Sequence, residues 1–267
     1  MPNFTTTQAI PFNLGLPTDI LDMETDQMDD FMAIGCSDGN VYIYKLDSKS
    51  DSNQMTHVAT LKQHTKPVFC VRWLPMQFGR VLLTSGEDGL LAMYREQNQS
   101  FQKVAEQKFQ AAVSDMAVSD DILAVTTLDG KLSLFQITAQ LKLQQQDIQQ
   151  FDVPLSVSMT KHAGDQKIII GCLDGSVHLK QGNSKFTVIH QGSTPCKSVS
   201  FGSDLVTDQL SLALAYTDRV ILFKVTDKPE FLKEQMIKDV SRAKFNVTGR
   251  VLGVSTENGT VQLIDAL

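Results

Sequence analysis

The chain has 267 residues, 42% of them apolar, and carries a formal charge of −6 with a pI near 5.3. The apolar share is ample for a packed interior, and the acidic balance argues against nucleic acid as a direct partner, because backbone binding needs clustered Lys and Arg. No run approaches the roughly 20 apolar residues of a membrane helix.

In chain order, Met1 to Thr7 has neither a basic n-region nor an apolar h-region, so no signal peptide is expected. An acidic run follows (Asp22, Glu24, Asp26, Asp29, Asp30), which lacks the Gly and spaced oxygens of a calcium loop and reads as a solvated strand connection. From there a unit recurs: an apolar run, a tight turn, a second apolar run. The turns are Asp38-Gly39, Asp88-Gly89, Asp129-Gly130, Asp174-Gly175, Thr217-Asp218-Arg219 and Asn258-Gly259, spaced 50, 41, 45, 44 and 40 residues apart. A period near 44 is the blade length of a WD-type β-propeller. The runs before the turns begin at Phe31, Val81, Ile122, Ile168, Leu212 and Val251; those after begin at Val41, Leu91, Leu132, Val177, Val220 and Val261.

After the Asp-Gly or Asn-Gly turns, the second and fourth positions past the Gly are aliphatic or Met: Val41/Ile43, Leu91/Met93, Leu132/Leu134, Val177/Leu179 and Val261/Leu263. This is strand alternation with one face buried. Asp-Gly suits a two-residue hairpin turn with both central residues at positive φ. Repeat five lacks the Gly and is one residue short. An earlier strand precedes each unit, as in Val68 to Trp73, and the fourth strand is poorly marked. Polar connections include 47–53, read as a surface loop, and Gln144 to Gln150, read as an exposed loop or edge strand.

The fold class is therefore all-β: one propeller domain over 1–267, with six blades at about 17–62, 63–109, 110–152, 153–192, 193–237 and 238–267, after a 1–16 extension. The sequence ends after the third strand of blade six. The missing outer strand comes from residues 4–12, which would close the ring, or the ring stays open and a partner covers the edge. The residues expected at that blade-one and blade-six edge are Phe4, Ile10, Phe12, Ile20, Val261 and Leu263.

Little reads as chemistry. His64, Thr84, Asp88 and Tyr94 occupy the positions of the WD structural tetrad, with Tyr94 in place of the usual Trp. A His-Thr-Asp set invites a catalytic-triad reading, but the spacing is that of a network inside one blade and no nucleophile elbow is present. Other repeats carry Ile34, Val125, Ile170 or Val254 at the Thr84 position and are expected to rely on apolar packing. The four cysteines form no CxxC pair, the five histidines no metal spacing, and there is no phosphate-binding loop, so no metal, cofactor or enzymatic activity is expected. Cys36 and Cys172, each two residues before a turn Asp, fit small buried strand positions in a reducing compartment. An enzyme built on the central channel would need inward ionisable groups, and the first strands offer Asp22, Arg72, Asp115, Lys197 and Arg242.

Three stretches resemble the Sec-thirteen/Seh-one family of WD-repeat propellers. They are His64 to Val68, Trp73 to Leu82 with its Pro75 and Phe78-Gly79, and Tyr94 to Asn98. Val240 to Val261 is similar to that family's last blade and Asp218-Arg219 to its fifth. Most of the family's Trp positions differ here, as at Tyr44, Tyr94 and Ile264. The resemblance implies a six-bladed open propeller and a non-catalytic scaffold in a membrane-curving coat. A large helical-solenoid partner would donate a blade in trans. The location would be cytoplasmic, at endoplasmic-reticulum vesicle coats (COPII), the nuclear-pore Y-complex or nutrient-signalling complexes. The alternative is a closed adaptor of another nuclear-pore or checkpoint type that binds short peptides on its top face.

Overall fold

The computed structural model describes residues 18–46 and 55–266. Phe4, Ile10, Phe12, the rest of the 1–16 extension and the 47–53 loop lie outside the described residues. The chain divides into two compact units, Gly15–Gln150 and Phe151–Leu267.

The first unit holds three antiparallel sheets in simple up-and-down order. Sheet one is β1 (Ile20–Thr25), β2 (Phe31–Cys36), β3 (Val41–Leu46) and β4 (Met55–Leu61). Sheet two is β5 (Val68–Trp73), β6 (Val81–Gly86), β7 (Leu90–Gln97) and β8 (Ser100–Lys108). Sheet three is β9 (Val113–Ser119), β10 (Ile122–Thr127), β11 (Lys131–Ile137) and β12 (Leu143–Gln150). The Gln-rich stretch is thus an outer edge strand.

The second unit repeats the plan. Sheet four is β13 (Pro154–His162), β14 (Asp165–Cys172), β15 (Ser176–Gln181) and β16 (Thr187–Gln191). Sheet five is β17 (Cys196–Ser203), β18 (Leu210–Tyr216), β19 (Arg219–Lys224) and β20 (Glu230–Met236). Sheet six is β21 (Val240–Phe245), β22 (Val251–Thr256) and β23 (Val261–Asp265), three strands among the described residues. Six such sheets, each a meander of neighbouring strands, are the blades of the WD-type propeller class.

The turns differ from expectation in one respect. In all five Gly-bearing turns only the Gly is left-handed (Gly39 φ 82°, Gly175 φ 83°), and its N–H bonds back three residues, as from Gly89 to Gly86 at 3.0 Å. This is a type I turn closed by a left-handed residue, the longer hairpin connection, so the Asp stays in ordinary backbone space and its carboxylate is free to accept hydrogen bonds. Gly175 is further constrained because a Cβ there would stand 2.5 Å from the Gly192 carbonyl. Two successive left-handed residues occur instead at Asn98-Gln99 between β7 and β8 (53° and 63°) and at Ala163-Gly164 between β13 and β14 (52° and 82°).

Sheet packing alternates by face. Val41 and Ile43 of β3 join Val71, Leu82 and Tyr94 of sheet two in one cluster, while Leu91 and Met93 of β7 face the other way, onto Val113, Met116 and Leu123 of sheet three. In the second unit Val177 and Leu179 pack on Leu212 and Tyr216, and Val220 and Leu222 pack on Leu252 and Ile264. Each such side chain contributes about 1.5–3 kcal/mol when fully buried. The expected burial fails at Val261 and Leu263, which are 55% and 47% exposed, while Ile264 is buried. The face carrying Val261 and Leu263 points away from sheet five, and sheet six is the last of its unit.

Every blade's inner strand carries one irregularity that periodicity does not announce. The register slips by one residue at Leu21, Phe69, Ser114, Leu155, Lys197 and Ser241. Such a bulge re-aims the residue after it. That residue is Asp22, Cys70, Asp115, Ser156, Ser198 or Arg242.

Candidate functional site

The hydrogen-bond set of blade two forms from three of its four expected members. His64, in the connection leading into β5, reaches Asp88 in the β6–β7 turn through Nδ1 (3.1 Å) and Thr84 on β6 through Nε2 (2.8 Å). Asp88 is acceptor-only when ionised, so Nδ1 donates to it, which leaves Nε2 facing the Thr84 hydroxyl. Asp88 also accepts from the Thr65 and Leu90 amides, each at 3.0 Å. Burial alone would raise its pKa. The bonds from Leu90, His64 and Thr65 outweigh burial and lower it.

Tyr94 is the exception. Its ring sits in the cluster with Val71 and Leu82, but its buried hydroxyl has no hydrogen-bond partner among the described residues. Burial and then the nearby Glu106 push its pKa up to about 12. The physical reason is placement: the ring occupies the apolar face shared with sheet one, where the neighbours are aliphatic side chains. Thr84 is fully buried, so its hydroxyl cannot meet a substrate.

The other turns are not held by apolar packing alone. Asp38 accepts from the Asn40 amide (3.0 Å) and the Tyr42 hydroxyl (2.8 Å). Asp129 accepts from Thr127 (2.6 Å), and Asn258 from Thr256 (2.5 Å). Asp174 accepts from Ser176 (2.6 Å), whose oxygen also lies 3.0 Å from His178 Nε2. These networks are local to the turn, whereas His64 ties the turn of blade two to the connection before its inner strand.

Within each unit, the residue after four of these bulges reaches the next inner strand; Cys70 does so through its Sγ onto Asp115. Asp22 accepts from the Val71 amide (3.1 Å), Ser156 from Val199 (3.3 Å) and Ser198 from Ala243 (3.3 Å). Two residues further on, Glu24 accepts from Trp73 (2.7 Å), Ser158 from Phe201 (3.3 Å) and Ser200 from Phe245 (3.2 Å). The Trp73 indole N–H also donates to the Glu24 carbonyl at 3.1 Å. Both units use the same stitch, with serines in the second and carboxylates in the first.

Carboxylates need a counter-charge, and Arg72 supplies it. Its guanidinium pairs with Asp22 (2.5 Å) and Asp115 (2.8 Å), and Nε donates to the Met116 carbonyl (2.9 Å). All three ionisable groups are at most 8% exposed. Burial acts to lower the Arg72 pKa, but Asp22, Cys70 and Asp115 hold it well above the ordinary value. Asp22, Arg72 and Asp115 therefore pair with one another, and Lys197 pairs with Glu257.

The acidic run is likewise structural rather than solvated except at Asp29, which is exposed. Asp22 and Asp26 are buried and Glu24 is half-buried. Asp26 accepts from the Asp30 and Phe31 amides (2.8 and 3.0 Å) and from Arg80 Nε of the next blade (3.1 Å), while Arg80 also pairs with Asp30 and lies over the Phe31 ring. The second unit has the counterpart: Asp204 accepts from Arg250 Nε (3.1 Å), the Val206 amide (2.9 Å) and Thr207 (2.8 Å). The Val206 bond first, against some burial, then Arg250 and Thr207, hold its pKa down at about 2. Sequence reasoning missed both latches. The signal was a repeated Gly-Arg-Val-Leu, at 79–82 and 249–252, each Arg reaching an Asp that ends the previous blade's inner strand.

Of the edge residues expected to meet a partner, Ile20 is 41% exposed, alongside Val261 and Leu263.

Comparison with known proteins bears on the blade that holds the His64 set. Residues 55–95 match the WD domain, G-beta repeat family. "Protein transport protein sec13" of Emericella nidulans is 38% identical over 69 residues, 26% of this chain and 21% of that protein. "Protein transport protein SEC13" of Chaetomium thermophilum is 33% identical over 73 residues, 27% of this chain and 22% of that protein. The matched stretch thus spans about a fifth of either relative. Over that stretch the chain is Sec13-like, and at 55–95 it carries a WD repeat.

Proposed function

We propose that this Sec13-like WD-repeat chain is a non-catalytic scaffold subunit of a membrane-coating assembly, a COPII vesicle coat or a nuclear-pore Y-complex. It would rigidify a large helical-solenoid partner that adds strands to it in trans. The observation that carries the reading is the likeness, over about a quarter of the chain, to relatives named for protein transport, beside the WD repeat matched at 55–95. The three-stranded sixth sheet among the described residues is compatible with it, because the other five sheets have four strands. Strand addition uses main-chain hydrogen bonds for affinity and alternate side chains for specificity.

A scaffold of this kind must resist deformation. The inner-strand stitches and the two Asp–Arg latches serve that purpose, since each ties one blade to the next by directional bonds rather than by packing alone. On this reading the protein works at endoplasmic-reticulum vesicle coats or nuclear-envelope pores and touches membrane only through the assembly.

The test is a tagged pull-down from native extract at mild salt, with bound chains identified and their stoichiometry measured. The expected result is one long partner in equimolar amount, with a helical solenoid and an adjoining β segment, whose identity assigns coat or pore. A stable monomer that retains only weak, short-peptide partners would overturn the scaffold reading in favour of a closed adaptor.

A further inference from the structure

The sequence has six arginines, and five are engaged. Arg72, Arg80, Arg219 and Arg250 are ion-paired, and Arg242 also has a partner. Arg95, near the end of β7, is half-buried, and its guanidinium has neither an ion pair nor a hydrogen bond among the described residues. This is unexpected in its surroundings, because residues 15–150 carry 18 acidic side chains against 11 basic ones. A half-buried guanidinium loses hydration, and a partner normally restores that loss.

Arg95 lines a groove of about 490 Å³ between sheets two and three, a volume in the range of small-ligand and peptide sites. Half-buried Phe78 gives it an apolar wall, Ile137 lies beneath it in the core at 2% exposed, and Asp121 stands at its far side. Asp121 accepts from Gln136 Nε2 at 3.0 Å and has no ion pair among the described residues. The equivalent groove one blade earlier is bridged, because Arg80 crosses from sheet two onto Asp26 and Asp30 of sheet one. At the later groove the position of Arg80, just before the second strand, is taken by Asp121, and the cation sits instead on the preceding blade. The two charges do not meet within 4 Å.

A ligand that suits both must place an anion on Arg95 and a donor on Asp121, with an apolar group between. We infer that this groove binds an extended peptide through a carboxylate on Arg95 and the neighbouring backbone N–H on Asp121, with an apolar side chain against Phe78, above Ile137. The carboxylate comes either from a peptide C-terminus or from a Glu or Asp side chain. This site is separate from the scaffold contacts proposed above and does not depend on them.

The experiment titrates the full-length protein, with isotope-labelled Ile methyl groups and Arg side chains, with three probes followed by NMR. They are N-acetyl-Leu-Leu with a free C-terminus, the same peptide as its C-terminal amide, and N-acetyl-Leu-Glu amide. The expected result is saturable movement of the Ile137 methyl and Arg95 Nε signals with one or both carboxylate probes and none with the neutral amide; the tighter of the two identifies the source. Arg95→Met should weaken binding by about tenfold or more, as loss of one charge-assisted contact implies. Arg95→Lys, which keeps the charge but not the fork, should fall between. No response to either carboxylate, an equal response to the neutral amide, or undiminished binding by Arg95→Met would each overturn the inference. The amide comparison stands on the native protein alone, so it holds even where a variant folds poorly.

Discussion

Replacing Arg72 with Met tests whether the charged stitch of the first unit is a stabilising network or an incidental one. Met matches most of the aliphatic stem and removes the guanidinium. Asp22 and Asp115, 6% and 5% exposed, then lose the cation that now stands 2.5 and 2.8 Å away, and the Met116 carbonyl loses its Nε donor. Breaking a buried pair by removing one partner costs about 3–5 kcal/mol, mostly from the charge left behind. Domains hold about 5–15 kcal/mol in total, so the loss is a large share of the first unit's stability. In urea, with a slope of about 1–3 kcal/mol per molar, the midpoint should fall by more than about 1 M. Hydrogen exchange should place the loss in residues 15–150. The companion variant converts Arg72→Met with Asp22→Asn and Asp115→Asn. It should recover most of the loss, because a neutral polar set carries no stranded charge while the Asn oxygens still accept from Val71 and Met116. A cost below about 1 kcal/mol for Arg72→Met, or a triple variant no better than the single, would refute the reasoning.

Tyr94→Phe should leave stability unchanged or raise it by about 1 kcal/mol, read as a higher Tm, because the deleted hydroxyl is buried without a partner; a clear loss would mean the hydroxyl is satisfied. Asp204 has its pKa depressed from 3.8 to about 2, so the stability it contributes is fully present above about pH 4 and disappears as pH falls towards 2. Wild type and Asp204→Asn should therefore differ in Tm at pH 5 and converge near pH 2. All four cysteines are buried, and burial raises the Cys36 and Cys172 thiols to about 11 and Cys196 further still. A thiol-reactive dye at pH 8 should label none of them in native protein and all four in denaturant. Gly175→Ala should cost about 1–3 kcal/mol in urea unfolding, from the left-handed backbone together with the 2.5 Å approach to the Gly192 carbonyl.

The blade repeat was legible in the sequence because it rests on short-range physics. An apolar strand, a turn residue that tolerates positive φ, and a second alternating strand must follow one another within about 15 residues, so the pattern survives in one dimension. β2 and β5 coincide with the runs read from Phe31 to Cys36 and from Val68 to Trp73. The fourth strands β8, β12 and β20 were faint because their outer positions face water on most sides and carry Gln, Lys and Glu as readily as any strand former.

Only the tertiary structure decided what those strands do to one another. Asp22 with Arg72, Asp26 with Arg80 and Asp204 with Arg250 join residues 50, 54 and 46 apart. Whether a charge at such a distance is solvated or buried depends on a one-residue bulge and on which blade lies beside it. The same holds for Arg95, which reads as one more surface cation until the neighbouring sheet sets Asp121 and Ile137 across a groove from it. Local periodicity fixes the face on which a side chain emerges; its partner is fixed only by how the blades stack, and that is set by packing of whole faces rather than by any neighbour in the chain.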